Sequence, residues 1–209
     1  LDLPETSGKL WNDFKSKLRS QIKKPQKDGL VFRLGSSELA DDFYTVFCRN
    51  MRDLGSPVHS GKWIKRVIES FGSRARIGLV KKGDLIIGAG IILCCRDTVS
   101  IPWASTIRQY NMHSPNMLLY WGFLEYACDN GFRSFDFGRS TPDEGTYRFK
   151  EQWGARPEPL SWYIEDGGHD DEDISSQSPL RMTAEKVWAG LPLSVANILG
   201  PFLRRFVTL

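Results

Sequence analysis

Leu10, Trp11, Phe14, Leu18 and Ile22 recur at the spacing of a helix that buries one stripe, and Pro25 and Gly29 are expected to end it. Residues 31–34 read as a short strand. Ser36 or Ser37 then caps a helix reaching about Leu54, with Leu39, Phe43, Phe47 and Met51 inward and Gly55 as its stop. Ser60 opens another helix, with Trp63, Val67, Ile68 and Phe71 inside. The period then changes. Residues 76–80, 85–95 and 97–105 read as three strands of a meander, the first two joined by a turn at Lys82, Gly83 and Asp84. Ser114, Pro115 and Asn116 start a helix through Cys128, closed by Asn130 and Gly131. Residues 133–138 form a strand, a loop and short helix follow, and 158–165 read as a last strand. Antiparallel strands followed by a βαβαβ order predict an α/β (α+β) domain: a mixed, mostly antiparallel sheet flanked by helices.

Charge changes this picture locally. The net charge is only +3, so no global attraction to nucleic acid follows. Residues 9–27 are strongly basic, however, and residues 165–173 strongly acidic. Lys15, Lys17, Arg19, Lys23 and Lys24 crowd the polar side of the first helix; such a face is either a solvated surface or a site for a polyanion such as tRNA. The acidic run reads as a mobile loop. Beyond it, residues 183–209 predict two short amphipathic helices broken at Pro192, whose Arg204 and Arg205 end either docks on the domain or makes a peripheral membrane contact. Cys48, Cys94, Cys95 and Cys128 show no zinc spacing and no disulfide ladder, which suits a reducing, cytoplasmic setting. There is no signal-peptide pattern, and the first residue is Leu1 rather than Met, as expected of a piece of something longer.

Candidate chemistry gathers in the second half. In the strand 133–138, Phe135 and Phe137 face one side while Ser134, Asp136 and Gly138 face the other. Asp136 then either lines a cleft as a candidate catalytic base or pairs with Arg139 or Arg148. Gly138, Arg139 and Ser140 stand at a strand end, where open α/β sheets bind ligands. Lys150 lies on the next short helix with Tyr147, Phe149 and Trp153 around it; it is either a solvated lysine or a cation aimed at developing negative charge. Trp103, Ser105, Arg108 and Asn116, with Tyr120 behind them, make a polar, aromatic-lined run after the third meander strand.

The element order is similar to that of the GNAT acyltransferase fold, which implies a sheet splayed in the middle. CoA-using members of that fold carry a Gly-rich loop before the central helix, whose backbone N–H groups cradle a pyrophosphate. Residues 100–118 contain no glycine, which weighs against CoA. More specifically, the segments LRSQIKKPQKDGL, NMRDLGSPV, IPWAS, NMLLYW and FDFGRSTPDEGTYRFKEQWGA, in this order, resemble FemAB-related transferases associated with exopolysaccharide and PEP-CTERM sorting systems. The resemblance covers about residues 3–163 and continues in LPLSVANILGP. The wider Fem family moves an amino acid from aminoacyl-tRNA to a peptidoglycan precursor and is built from tandem GNAT-like domains. The resemblance therefore implies a basic entry helix at 1–29, the second domain of such a pair at 30–166, an acidic loop at 167–181 and a helical tail at 182–209. It also implies that Phe149–Lys150 is the family's F–K pair, with Lys150 at the reacting acyl group and Asp136, Arg139, Tyr147 and Trp103 lining the cleft. The implied activity is acyl or aminoacyl transfer to a cell-envelope or exopolysaccharide precursor, the acceptor being a small molecule or a glycan or peptide precursor. The donor stays open between aminoacyl-tRNA and acyl-CoA, a CoA-dependent N-acetyltransferase being one alternative and a non-catalytic RNA- or complex-binding module another.

Overall fold

The computed structural model describes residues 1–161 and 179–206. Five strands form one sheet in sequence order: β1 (Leu30–Gly35), β2 (Ala75–Lys82), β3 (Leu85–Cys95), β4 (Thr98–Thr106) and β5 (Ser134–Asp136). The first four pair antiparallel and β5 joins β4 in parallel. Helices α1 (Ser7–Asp13), α2 (Ser16–Lys27) and α5 (Pro115–Asp129) cover one face of the sheet, and α3 (Ala40–Asp53) and α4 (Gly61–Phe71) the other. Two buried clusters result, one holding Phe123, Leu119 and Phe135, the other Phe43, Ile64 and Ile77. Where α5 crosses the sheet, a Cβ on Gly122 would overlap the Phe32 ring, so the glycine sets how closely helix and sheet approach.

The expected first helix is two. Its two joint residues, Phe14 and Lys15, are extended. No glycine or proline breaks it there; instead Phe14 lies edge-on to Trp121 at 5.9 Å and Trp153 at 5.6 Å. Pro25 does not end α2. It sits buried in the helix, which runs on to Lys27 before Gly29 takes a positive φ of 79°. Lys24, though exposed, is tied down: it donates to Asp28 Oδ2 and to the Met112 carbonyl, both at 2.8 Å. Asp28 Oδ2 also accepts from His113 Nδ1 at 2.9 Å, and His113 Nε2 contacts Lys82 Nζ at 2.6 Å. These bonds pin the segment before α5 to α2. The Lys24 contact first, then His113, holds the Asp28 carboxyl below its usual range.

The expected last strand is not seen where it can be judged. Residues 158–161 are irregular, and 162–165, like the acidic loop through residue 178, lie outside the described residues. The outer edge of β5 is instead taken by the N-terminal segment: Phe135 N donates to the Leu1 carbonyl at 2.9 Å and Leu3 N to the Arg133 carbonyl at 2.8 Å. The tail forms α7 (Pro179–Ala189) and α8 (Leu193–Leu203), with Pro192 as the cap between them.

Candidate active site

β4 and β5 share only three paired positions, the last being Ser100 opposite Asp136. Past that point they part. A cavity of about 380 Å³ opens beside the far half of β4, and its walls come from four elements. β4 supplies Ala104, Ser105 and Thr106; the first turns of α5 supply Asn116, Leu119 and Tyr120. α3 adds Asn50, and α6 (Gly145–Glu151) adds Gly145, Thr146, Phe149 and Lys150.

The way β4 reaches this cavity depends on a bulge. Ile91 pairs with Trp103 and Leu93 with Ser100, so Ile101 and Pro102 together face the single residue Ile92. Proline tolerates the site because it has no N–H to give to the ladder. The extra residue inverts the strand's alternation. Val99 and Ile101 pack with α5, whereas Trp103 packs on the α3–α4 side, edge-on to Trp63 at 5.6 Å. Ser105 therefore also faces α3. It is buried (4% exposed), and its Oγ accepts a 3.2 Å bond from Asn50 Nδ2, leaving the hydroxyl proton for the cavity.

Lys150 stands on the opposite wall. Its Nζ donates to the carbonyls of Gly138 at 2.8 Å and Arg139 at 2.5 Å. An ammonium has three N–H groups, so one remains for the cavity. The turn that presents the two carbonyls is itself fixed: Gly138 has φ +71° and its N–H donates to Asp136 Oδ1 at 2.7 Å. Burial lowers the Lys150 pKa from its ordinary value, and the Asp136 charge pushes it back up. Tyr120 stacks on Phe137, and burial pushes its phenol up to about 12, so it is a neutral O–H group.

Of the residues singled out from sequence, Ser105, Asn116, Tyr120 and Lys150 meet in this cavity. Five do not line it. Asp136 is exposed and faces the Gly138 turn, so it reaches the cavity only through that turn and through its charge on Lys150. Trp103 is carried away by the bulge. Arg108 is exposed on the short 3-10 turn Arg108–His113. Arg139 contributes its carbonyl to Lys150, and Tyr147, half-buried one turn before Lys150 on α6, does not reach the cavity lining. Asn50 was missed, although a signal exists: it is a polar residue seven after Phe43 and three after Phe47, on the helix's inward stripe. A second hollow of about 500 Å³ lies between α3 and α4, but on its charged rim Lys65 pairs with Asp41 at 2.7 Å, and none of its lining residues is a buried polar group. Among the described residues no cluster of His, Cys, Asp or Glu has metal-binding geometry.

Comparison with curated proteins finds no match. Solved structures do match. FemX superposes with a TM-score of 0.64 at 14% identity, over 73% of this chain and 57% of that one. The C-terminal domain of a putative lysylphosphatidylglycerol synthetase from Agrobacterium fabrum gives 0.56 at 12%, over 70% and 55%. A ribosomal-protein-alanine N-acetyltransferase from Brucella melitensis biovar Abortus 2308 gives 0.52 at 12%, over 66% and 99%. The chain thus spans little more than half the length of the first two, and these likenesses concern the fold. The acetyltransferase (GNAT) domain model matches residues 12–151, which hold the whole sheet, the splay between β4 and β5, and Lys150. With that architecture and that match over most of its length, the chain belongs to the acetyltransferase (GNAT) domain family.

Proposed function

We propose that the chain is an acyl- or aminoacyl-transferase of the FemAB-related type, acting on a cell-envelope or exopolysaccharide precursor, with residues 30–166 as the second of two GNAT-like domains. The observation that carries this reading is Lys150, a cation clamped by two carbonyls on the wall of a cavity whose other wall is the Asn50–Ser105 pair. In the reaction an acceptor amine attacks the carbonyl carbon of the donor ester. The C–N bond forms, the carbonyl oxygen takes the electron pair, and the C–O bond to the donor then breaks as the amine loses its proton and the departing oxygen gains one. Lys150 holds the transient oxyanion. A fixed donor of this kind contributes about 3–4 kcal/mol to the barrier reduction. The neutral phenol of Tyr120 and the hydroxyl of Ser105 supply further donors facing the same space.

An aminoacyl donor is favoured over acyl-CoA by the segment leading into α5. Three of the N–H groups there are already bonded: Tyr110 N to the Ile107 carbonyl, Ser114 N to the Asn111 carbonyl, and Met117 N to the Ser114 carbonyl and to Asn116 Oδ1. A pyrophosphate cradle needs such groups open. The cations of α2 would contact the phosphates of a tRNA donor. The second reading, a CoA-dependent acetyltransferase, draws on the family model and on the likeness in fold to AAC(6')-Iy in complex with a CoA bisubstrate analog.

The test incubates the chain with labelled aminoacyl-tRNA or labelled acetyl-CoA and an extract of envelope precursors. Wild type is expected to transfer from aminoacyl-tRNA, and Lys150→Met to transfer about a hundredfold or more slowly with folding nearly unchanged. Transfer by Lys150→Met at the wild-type rate would remove the lysine from the mechanism. Transfer from acetyl-CoA alone selects the second reading, and donor binding without transfer selects a non-catalytic module.

A further inference from the structure

Helix α8 has two unlike faces. Ala196 and Gly200 are buried against the domain, and a side chain at Gly200 would come within 2.9 Å of the Val58 backbone nitrogen. The helix is tied at both ends. Arg52 Nη1 donates to the Leu191 carbonyl at 3.0 Å, and Arg204 Nε to His59 Nε2 at 3.3 Å. The solvent-exposed side carries Val195, Ile198, Leu199, Phe202 and Leu203, the i, i+3, i+4, i+7, i+8 spacing of a buried stripe. Yet Ile198 is 75% exposed and Phe202 55%. Solvent-facing apolar stripes of this kind mark interaction surfaces.

Charge points to the partner. From residue 179 onward the sequence holds Arg181, Lys186, Arg204 and Arg205 against one acid, Glu185. The Arg205 guanidinium lies 4.6 Å over the Phe202 ring, a cation at the margin of the apolar stripe. That is the layout of a helix lying in a lipid interface, with its apolar side in the acyl boundary and its arginines at the headgroups. At eleven residues α8 is about 16 Å long, so it lies on a bilayer rather than crossing it.

We propose that α8 docks this domain on the surface of an anionic lipid bilayer, with Ile198, Phe202 and their stripe neighbours seated in the headgroup–acyl boundary. Docking has a consequence for the cavity. Arg52, which holds the start of α8, is two residues from Asn50 in the cavity wall. The cavity is then carried near the interface, where a lipid-linked acceptor is presented. That consequence rests on the acyl-transfer reading; the docking itself does not.

The test is co-sedimentation of the purified chain with vesicles of phosphatidylcholine alone or mixed with phosphatidylglycerol. Wild type is expected to bind the mixed vesicles and not the neutral ones. Ile198→Ser combined with Phe202→Ser should weaken binding at least about tenfold. Arg205→Gln should weaken it about fivefold at low salt. All the altered side chains are exposed, and an unchanged melting temperature verifies folding. Three results overturn the proposal: wild type that binds no vesicle, a double variant that binds as well as wild type, or a wild-type dimer that the double variant converts to monomer. No donor or acceptor enters this assay, so its failure leaves Lys150 untouched, and an inactive enzyme leaves the docking intact.

Discussion

Trp153 fixes the helix that carries Lys150, and its removal should be felt in both stability and transfer. The side chain is 1% exposed and packs edge-on against Phe14 at 5.6 Å and Phe149 at 6.1 Å. A tryptophan buries about 150–250 Å², so at about 25 cal/mol per Å² its transfer from water is worth about 4–6 kcal/mol. Truncation of such a residue to alanine costs about 3–5 kcal/mol. One feature offsets this. Among the described residues the Trp153 Nε1–H is buried without an acceptor, a burden of about 1–3 kcal/mol. Trp153→Ala removes both, and mid-range values of about 4 and about 2 kcal/mol leave a net loss of about 2 kcal/mol, whereas Trp153→Phe keeps most of the packing, sheds the orphan donor, and should stay within about 1 kcal/mol of wild type. For a chain of this size each kcal/mol moves the melting temperature by about 2–4 °C. Calorimetry should therefore show a fall of roughly 4–8 °C for the alanine variant and less than about 4 °C for the phenylalanine variant. Equal falls for the two would mean that the indole N–H is bonded after all. A fall under about 2 °C for Trp153→Ala would mean that α6 is not anchored here.

Other outcomes follow from single interactions. Asp136→Asn keeps an acceptor for the Gly138 N–H but removes the charge that raises the Lys150 pKa, so the alkaline limb of the rate profile should move to lower pH; an unmoved limb refutes the coupling. His59 has its pKa lowered by burial and then by Arg204, so the unfolded chain takes up its proton first as pH falls. The stability it confers is present above the unfolded value of about 6.5 and is lost as pH drops through the lower folded value, so α8 amides should exchange faster in acid, a difference that His59→Gln abolishes. Changing Lys15, Lys17 and Lys23 to Gln should shallow the salt dependence of tRNA binding by about one unit for each phosphate no longer neutralised. Unchanged binding at every salt would reduce that face to a solvating surface. Lys24 is left out of this set because its bonds to Asp28 and Met112 make it structural.

The local parts of this fold were legible in the sequence, and its long-range choices were not. Ser60 caps α4 by accepting from Trp63 N, and Gly83 turns between β2 and β3 with φ +59°, both within reach of their neighbours in sequence. The burial of Phe135 and Phe137 follows from alternation alone. By contrast, the break at Phe14 depends on two tryptophans more than a hundred residues away, and the outer edge of β5 on residues 1–3. Four of the eleven residues lining the cavity were foreseeable for the same reason. Lys150 and Tyr120 stand in segments whose residues carry the family resemblance, and Ser105 and Asn116 lie in the polar run after the meander. Asn50 arrives from a helix some 55 residues before its partner Ser105, and only the assembled sheet brings them together. Trp103 was misplaced because a period-2 reading carries no warning of an inserted residue.

That inserted residue makes the chain sensitive to length in an unusual place. The bulge at Ile101 and Pro102 acts as a phase shifter, letting one continuous strand serve the α5 side with its first half and the α3 side with its second. Loss of a single residue there would restore plain alternation and rotate everything after it by half a period. Trp103 would turn from Trp63 toward α5, and Ser105 would leave Asn50 for the opposite layer. Side chains at these positions can therefore be exchanged one at a time, but β4 cannot be shortened here without rebuilding both layers and the wall of the cavity together.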